Sequence, residues 1–220
     1  MNKSTTLLLD LDGTLADTAP DLTWALNQVR AEQALAPLPL ETVRPSVSHG
    51  AAAMIELGFG LAPGGERAET LRARLLEHYA QHLCVDTRLF PGMDDVLCAC
   101  ERNALKWGVV TNKPAFFTDP LLEQLGLNGR AACVVSGDTI ARRKPHPEPL
   151  LYACRLAGGT PARSLYVGDA ARDIQAGRDA GMTTLVAAFG YLGSHDEPAR
   201  WGADGFVRSP DDIRGWLALP

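Results

Sequence analysis

No stretch of this chain reaches the roughly 18 consecutive apolar residues that a membrane-spanning helix needs, so a membrane partner is not expected. The N-terminus carries one lysine and a short apolar run before Asp10, too little for a secretory signal, which predicts a cytoplasmic protein. Positive charge is not in surplus either. The formal net charge of -5 over 220 residues argues against a nucleic-acid-binding surface. Zinc-type cysteine spacing is lacking: the cysteines at 84, 98, 100, 133 and 154 include one Cys-x-Cys pair and no matching second pair. They read as small core residues in a reducing compartment. Internal repeats and low-complexity segments are missing. Gly58, Gly60, Gly64 and Gly65 have neither dinucleotide-fingerprint spacing nor a P-loop Lys-Ser/Thr, so they mark a plain connection. The length suits one large domain or a domain with an insertion.

What is present is concentrated near the N-terminus. Leu7-Leu8-Leu9-Asp10-Leu11-Asp12-Gly13-Thr14 runs from a buried-strand pattern into two carboxylates spaced i, i+2, then Gly-Thr. In a regular strand that spacing puts both acids on one face. Crowded acids repel each other and lose solvation, so they need a cation, nearby donors or a shared proton. The plainer reading is a strand-to-turn junction, where Asp-Gly is common. Folds tolerate such a conflict mainly where it is useful.

Strand and helix signals alternate along most of the chain. Thr5 to Leu11 reads as a strand and Asp21 to Ala34 as a helix, with apolar Leu22, Ala25, Leu26 and Val29 at helical spacing. Three prolines make 36–45 a connection, and Ser46 to Leu57 and Glu66 to Leu83 read as further helices. Residues 17–86 thus carry helical signals and no convincing strand, which predicts an inserted helical domain. From Phe90 the alternation resumes. Helices are expected over 93–103, 114–125 (broken or kinked at Pro120), after Pro147 and Pro149, and over 173–180. Strands are expected at 106–111, 131–136, 165–167 and 183–187, with a weak one at 205–207. Such alternation predicts an α/β fold with a mostly parallel sheet covered on both faces.

In such a sheet the ligand crevice lies outside the carboxyl ends of the strands. Those ends carry Asp10-Leu11-Asp12, then Thr111-Asn112, then a loop with Lys144-Pro145, then Gly168-Asp169 with Asp173. This inventory of acids, hydroxyl, amide and amine suits a dianionic, oxygen-rich substrate held with a hard cation. Each member has a plainer reading. Thr111-Asn112 can cap the helix that Pro114 opens. Lys144 follows Arg142 and Arg143 in a basic run of the usually solvated kind, although Pro145 holds its backbone extended. Asp169 and Asp173 can sit near a helix N-terminus. None of these explains why four successive strand ends carry the same chemistry.

The chain resembles the haloacid dehalogenase-like hydrolases. Their four motifs match Asp10-Leu11-Asp12-Gly13-Thr14, Thr111-Asn112, Lys144-Pro145 and Gly168-Asp169-Ala170-Ala171-Arg172-Asp173, in order and over nearly the whole length. Asp17-Thr18-Ala19-Pro20, Val110-Thr111-Asn112-Lys113-Pro114 and Lys144-Pro145-His146-Pro147 are similar to the phosphoglycolate phosphatase branch. Trp107 to Pro114 and Trp201-Gly202-Ala203-Asp204 look like bacterial N-acetylmuramic acid 6-phosphate phosphatases, which serve recycling of peptidoglycan sugars. The resemblance implies a Rossmann-like parallel sheet core over residues 1–16 and 87–220, with an α-helical cap domain inserted at 17–86.

It also implies a phosphatase acting on a small-molecule phosphate ester, as a monomer or homodimer. Asp10 is then the nucleophile that forms an aspartyl-phosphate, and Asp12 the proton donor and acceptor. Mg²⁺ is implied on the Asp10 carboxylate, the Asp12 backbone carbonyl and Asp169. Thr111 and the Asn112 backbone are implied as phosphate ligands. Lys144 neutralises developing charge, and Asp173 positions Lys144 or a metal-bound water. Ala170 departs mildly from the pattern, since relatives often have a polar residue there. The cap's expected specificity element is Arg44 to Gly50, at the start of a cap helix. Arg44, Ser48, His49 and Gly50 are the candidates for holding a substrate carboxylate, with helix capping by Ser46 or Ser48 as the plain reading. A dehalogenase needs neither Asp12 nor Mg²⁺. A phosphomutase shares every core motif, and a signalling receiver module also uses strand-end acids with a Thr and a Lys-Pro but has no insertion.

Overall fold

The computed structural model describes residues 5–219. The chain divides into two compact units, Met1–Ala16 with Leu89–Pro220, and Asp17–Arg88. In chain order the strands are β1 (Thr6–Leu9), β2 (Ala16–Asp17), β3 (Arg88–Leu89), β4 (Lys106–Val110), β5 (Cys133–Val135), β6 (Ser164–Gly168), β7 (Thr183–Ala187) and β8 (Gly205–Val207). Strands β2 and β3 are two residues each and pair with each other. They are too short to leave a periodic signal.

The larger unit is built on a six-stranded sheet in the order β5-β4-β1-β6-β7-β8, with every neighbour parallel. Leu7, Leu8 and Leu9 are fully buried, as expected for a central strand covered on both faces. In register, Leu9 faces Val109 of β4 on one side and Val167 of β6 on the other. The strand order reverses direction at β1. The carboxyl ends of β4, β1 and β6 therefore lie side by side at a topological switch point, where an open α/β sheet offers its crevice. Helices α5 (Met93–Arg102), α6 (Ala115–Gln124), α7 (Glu148–Leu156), α8 (Ala171–Asp179) and α9 (Asp212–Leu217) complete this unit.

Of the break or kink expected at Pro120, the break does not occur: α6 runs through the proline. The proline deprives the Phe116 carbonyl of its helical donor. Phe116 is 72 % exposed, so water can serve that carbonyl at little cost.

The helical unit contains α1 (Ala19–Glu32), α2 (Leu40–Val47), α3 (Ala51–Phe59) and α4 (Glu66–Gln81). Its interior is made by Leu22, Ala25, Leu26 and Val29 with Val43, Val47, Met54, Ile55, Leu71 and Leu75. Here the sequence reading needs two corrections. Residues 40–45 are not a connection but most of α2, with Pro45 inside it. The single helix expected over 46–57 is split: Gly50 takes φ +85°, which turns the chain off the helical path before α3. Arg44 to Gly50 therefore spans the end of one helix and a turn rather than the start of a helix. No helix among the described residues is long and apolar enough to cross a membrane.

Candidate active site

Asp10 and Asp12 do not share a strand face. β1 ends at Leu9, and the two acids lie in the turn beyond it, with Asp10 N still donating to Val167 O at 2.9 Å. The turn gives each acid its own lysine. Lys144 Nζ is 2.8 Å from Asp10 Oδ1, and Lys113 Nζ is 2.7 Å from Asp12 Oδ1. The conflict read from the sequence is resolved by two separate cations.

Asp10 is 3 % exposed. Its Oδ1 accepts from Leu11 N as well as from Lys144, both at 2.8 Å, while Oδ2 takes no hydrogen bond among the described residues. Burial pushes the Asp10 carboxyl above its ordinary value, Lys144 opposes this, Asp173 adds to it, and Arg172 lowers it again. Lys144, also 3 % exposed, is far from the solvated basic run suggested by Arg142 and Arg143. Besides Asp10 it meets Asp173 Oδ1 at 2.7 Å, Tyr166 OH at 2.8 Å and Val110 O at 2.9 Å. An ammonium has three protons, so the Tyr166 hydroxyl can accept one and pass its own to Val110 O at 3.1 Å. Burial, with the charges of Asp173 and Asp10, pushes the Tyr166 phenol well above its ordinary value, which keeps that proton in place.

The Thr111 hydroxyl accepts from Lys113 N at 3.1 Å, which leaves its proton available. Asn112 does not cap α6: Asp138 Oδ1 takes the Ala115 N–H instead, at 2.8 Å. The Asn112 side chain is spent on the backbone of Lys144.

Asp169 is buried, and its Oδ2 accepts from Tyr191 N at 3.0 Å. Two glycines let the backbone close around it. A Cβ on Gly13 (φ +80°) would stand 2.0 Å from Asp169 Oδ2, and one on Gly190 would stand 2.3 Å from Gly13 O. Any other residue at either position would displace the acid.

The donor set fits a hard divalent cation. One carboxylate oxygen each from Asp10, Asp169 and Asp173 lie within 4.8 Å of one another, all buried. Four acids (Asp10, Asp12, Asp169, Asp173) face three cations (Lys113, Lys144, Arg172), so the group is short of positive charge. Asp173 is the poorest ligand of the three. Its Oδ1 serves Lys144, and its Oδ2 accepts from Ala170 N at 3.1 Å. A second trio, Asp21, His82 and Asp86, lies in the helical unit. There both Asp21 oxygens are already taken by Asp86 N, Thr87 N and Thr87 Oγ1.

Residues 7–187 match the haloacid dehalogenase-like hydrolase family. The chain belongs to the haloacid dehalogenase-like hydrolases. This hydrolase is 44 % identical to the N-acetylmuramic acid 6-phosphate phosphatase of Pseudomonas aeruginosa over 94 % of its own length and 92 % of the relative. It is 40 % identical to the phosphoglycolate phosphatase of Xanthomonas campestris, with 97 % and 96 % covered. Among solved structures, a predicted phosphoglycolate phosphatase from Haemophilus somnus is 26 % identical, with a TM-score of 0.85 over 98 % of this chain and 99 % of that one. The hydrolase is thus a phosphoric monoester hydrolase of the phosphoglycolate phosphatase-like kind, which sets aside the receiver-module reading.

Asp10, Asp12, Thr111, Asn112, Lys144, Asp169 and Asp173 all belong to the sheet unit of the hydrolase, around the ends of β1, β4 and β6. Arg44, Ser48, His49 and Gly50 belong to the helical unit. There Arg44 Nη1 is engaged by Asp17 Oδ1 at 2.7 Å, Ser48 is half-buried, and His49 and Gly50 are exposed. Sequence reasoning gave no role to Lys113, Tyr166, Gly190 or Tyr191. For two of them a signal existed: Lys113 directly follows Thr111-Asn112, and Tyr166 puts a hydroxyl between the apolar Leu165 and Val167 of β6.

Proposed function

We propose that this hydrolase is a Mg²⁺-dependent phosphatase that works through an aspartyl-phosphate on Asp10 and takes N-acetylmuramic acid 6-phosphate as substrate. The observation that carries the mechanism is the pinning of Asp10 by Oδ1, with Oδ2 left over for attack on phosphorus. As the Asp10–phosphorus bond forms, the bond from phosphorus to the ester oxygen breaks, and Asp12 gives a proton to the departing alkoxide. Asp12 then takes a proton from water, which attacks the phosphoryl group and releases phosphate and free Asp10. The Thr111 hydroxyl and the Asn112 N–H bind phosphoryl oxygens. Lys144 neutralises charge beside Asp10, and Asp173 with Tyr166 holds Lys144 in place. The Asp10 carboxylate, the Asp12 backbone carbonyl and Asp169 would hold Mg²⁺, whose charge offsets repulsion between carboxylate and phosphate.

The substrate assignment is supported by the 44 % identity to the Pseudomonas enzyme of that name. The 40 % identity to the Xanthomonas enzyme supports 2-phosphoglycolate as the second reading. Both esters carry a carboxylate. In the helical unit, which we assign as the cap domain, Arg44, Ser48, His49 and Gly50 are the candidates to meet it, with Arg44 Nη1 engaged by Asp17.

A phosphate-release panel with N-acetylmuramic acid 6-phosphate, 2-phosphoglycolate and common sugar phosphates tests the reading. The highest kcat/KM is expected on N-acetylmuramic acid 6-phosphate, with loss on chelation and recovery on adding Mg²⁺. Undiminished release after chelation would overturn the metal assignment. Phosphoryl transfer to a second sugar phosphate without net release would identify a phosphomutase instead.

A further inference from the structure

Lys113 is fixed along its whole length. Its backbone N–H donates to Thr111 Oγ1 at 3.1 Å, and its carbonyl accepts from Gly137 N at 2.8 Å and Thr118 Oγ1 at 3.3 Å. Its side chain is 8 % exposed and ends 2.7 Å from Asp12 Oδ1. An ammonium on a flexible stem normally follows its partner. Here the backbone is locked into the turn that begins at Thr111, and the stem is enclosed. Asp12 is therefore held to the Thr111 turn through Lys113.

We propose that Lys113 is a positioning residue that acts through Asp12. It fixes the carboxylate that exchanges protons relative to the turn that binds the phosphoryl oxygens. This inference rests on the phosphatase mechanism above. A salt bridge that merely stabilised the fold would act on every substrate and in every background alike. A positioning role acts only where Asp12 is needed. An alkyl ester needs proton donation to its leaving oxygen, whereas 4-nitrophenolate departs without it.

The test compares wild type, Lys113→Met, Asp12→Asn and the double variant on an alkyl sugar phosphate and on 4-nitrophenyl phosphate. Misplacing a catalytic group by about 1 Å can cost on the order of 10²-fold, so Lys113→Met is expected to lose roughly 10–100-fold in kcat/KM on the alkyl ester. The loss in kcat/KM on the aryl ester should be much smaller, because kcat/KM ends with departure of the leaving group and does not include the later attack of water that Asp12 assists for both esters. In the Asp12→Asn background, Lys113→Met is expected to cost nothing further. Equal losses in kcat/KM on both esters, or additive losses in the double variant, would overturn the positioning role while leaving the phosphatase reading intact. No phosphate release by wild type from any ester would overturn that reading itself. If Lys113→Met does not fold, Lys113→Gln is judged by the same outcomes.

Discussion

The side-chain amide of Asn112 closes a two-bond ring on the backbone of Lys144: Nδ2 donates to Lys144 O at 2.9 Å, and Oδ1 accepts from Lys144 N at 3.1 Å. The turn after β4 thereby fixes the loop that carries the buried ammonium. Asn112→Ala leaves both backbone groups of Lys144 without these partners, a loss of about 1–3 kcal/mol in stability. The ammonium should also drift from Asp10, lowering kcat by roughly 10–100-fold. Urea denaturation and steady-state kinetics read the two effects. An unchanged kcat would mean that Lys144 is placed by its side-chain contacts alone.

The two aspartates should fail differently. Asp10→Asn keeps the shape of the side chain and removes the nucleophile, so turnover is expected to vanish while the circular dichroism spectrum stays that of wild type. Appreciable residual activity would sink the nucleophile assignment. Asp12→Asn removes the carboxylate that exchanges protons, along with its ion pair to Lys113, and should lose roughly 10²–10⁴ in rate. A near-wild-type rate would locate the proton donor elsewhere.

Much of this site was legible because strand ends in a parallel sheet must converge. Asp10, Thr111 and Asp169 each follow an apolar run, and the fold class alone brings such positions to one edge. The pairing of charges was not legible. Nothing in the spacing of Asp10 and Asp12 says that each has its own lysine, because those partners lie 134 and 101 positions away. The split of the expected 46–57 helix was hidden for a different reason. A glycine following Ser-His reads equally well as a helix residue until its φ is known to be positive. Asp21 stood in the sequence only as the first residue of an expected helix, although the structure gives it a longer-range task.

That task supplies the third prediction. Asp21 is fully buried and accepts three hydrogen bonds: from Asp86 N at 2.9 Å, Thr87 N at 2.9 Å and Thr87 Oγ1 at 2.7 Å. It thus ties the start of α1 to the last residues of the helical unit. In Asp21→Asn one oxygen becomes an NH₂ group that faces a donor. The variant is expected to lose about 1–3 kcal/mol, read as a lower urea midpoint. A midpoint equal to wild type would show that the amide finds other partners.

The last prediction concerns Glu32, the final residue of α1, where an acid opposes the helix dipole. Arg74 and His78 reverse that penalty. Arg74 Nε and Nη2 reach Glu32 Oε1 at 2.9 and 2.7 Å, and His78 Nε2 lies 2.7 Å from the same oxygen. The hydrogen bonds from Arg74 and then His78 pull the Glu32 carboxyl from its ordinary 4.5 down to about 2. A depressed folded-state value means that the stabilisation is complete above pH 4.5 and is lost as pH falls towards 2. The Glu32 side chain is 35 % exposed, so solvent screening limits the effect to about 0.5–1 kcal/mol. Glu32→Gln should therefore be less stable than wild type by that amount at pH 7, and added salt should shrink the difference. Urea midpoints of the two proteins should converge as pH is lowered below about 4.5. A gap that stays constant or widens in acid would refute the ion-pair origin of the stabilisation.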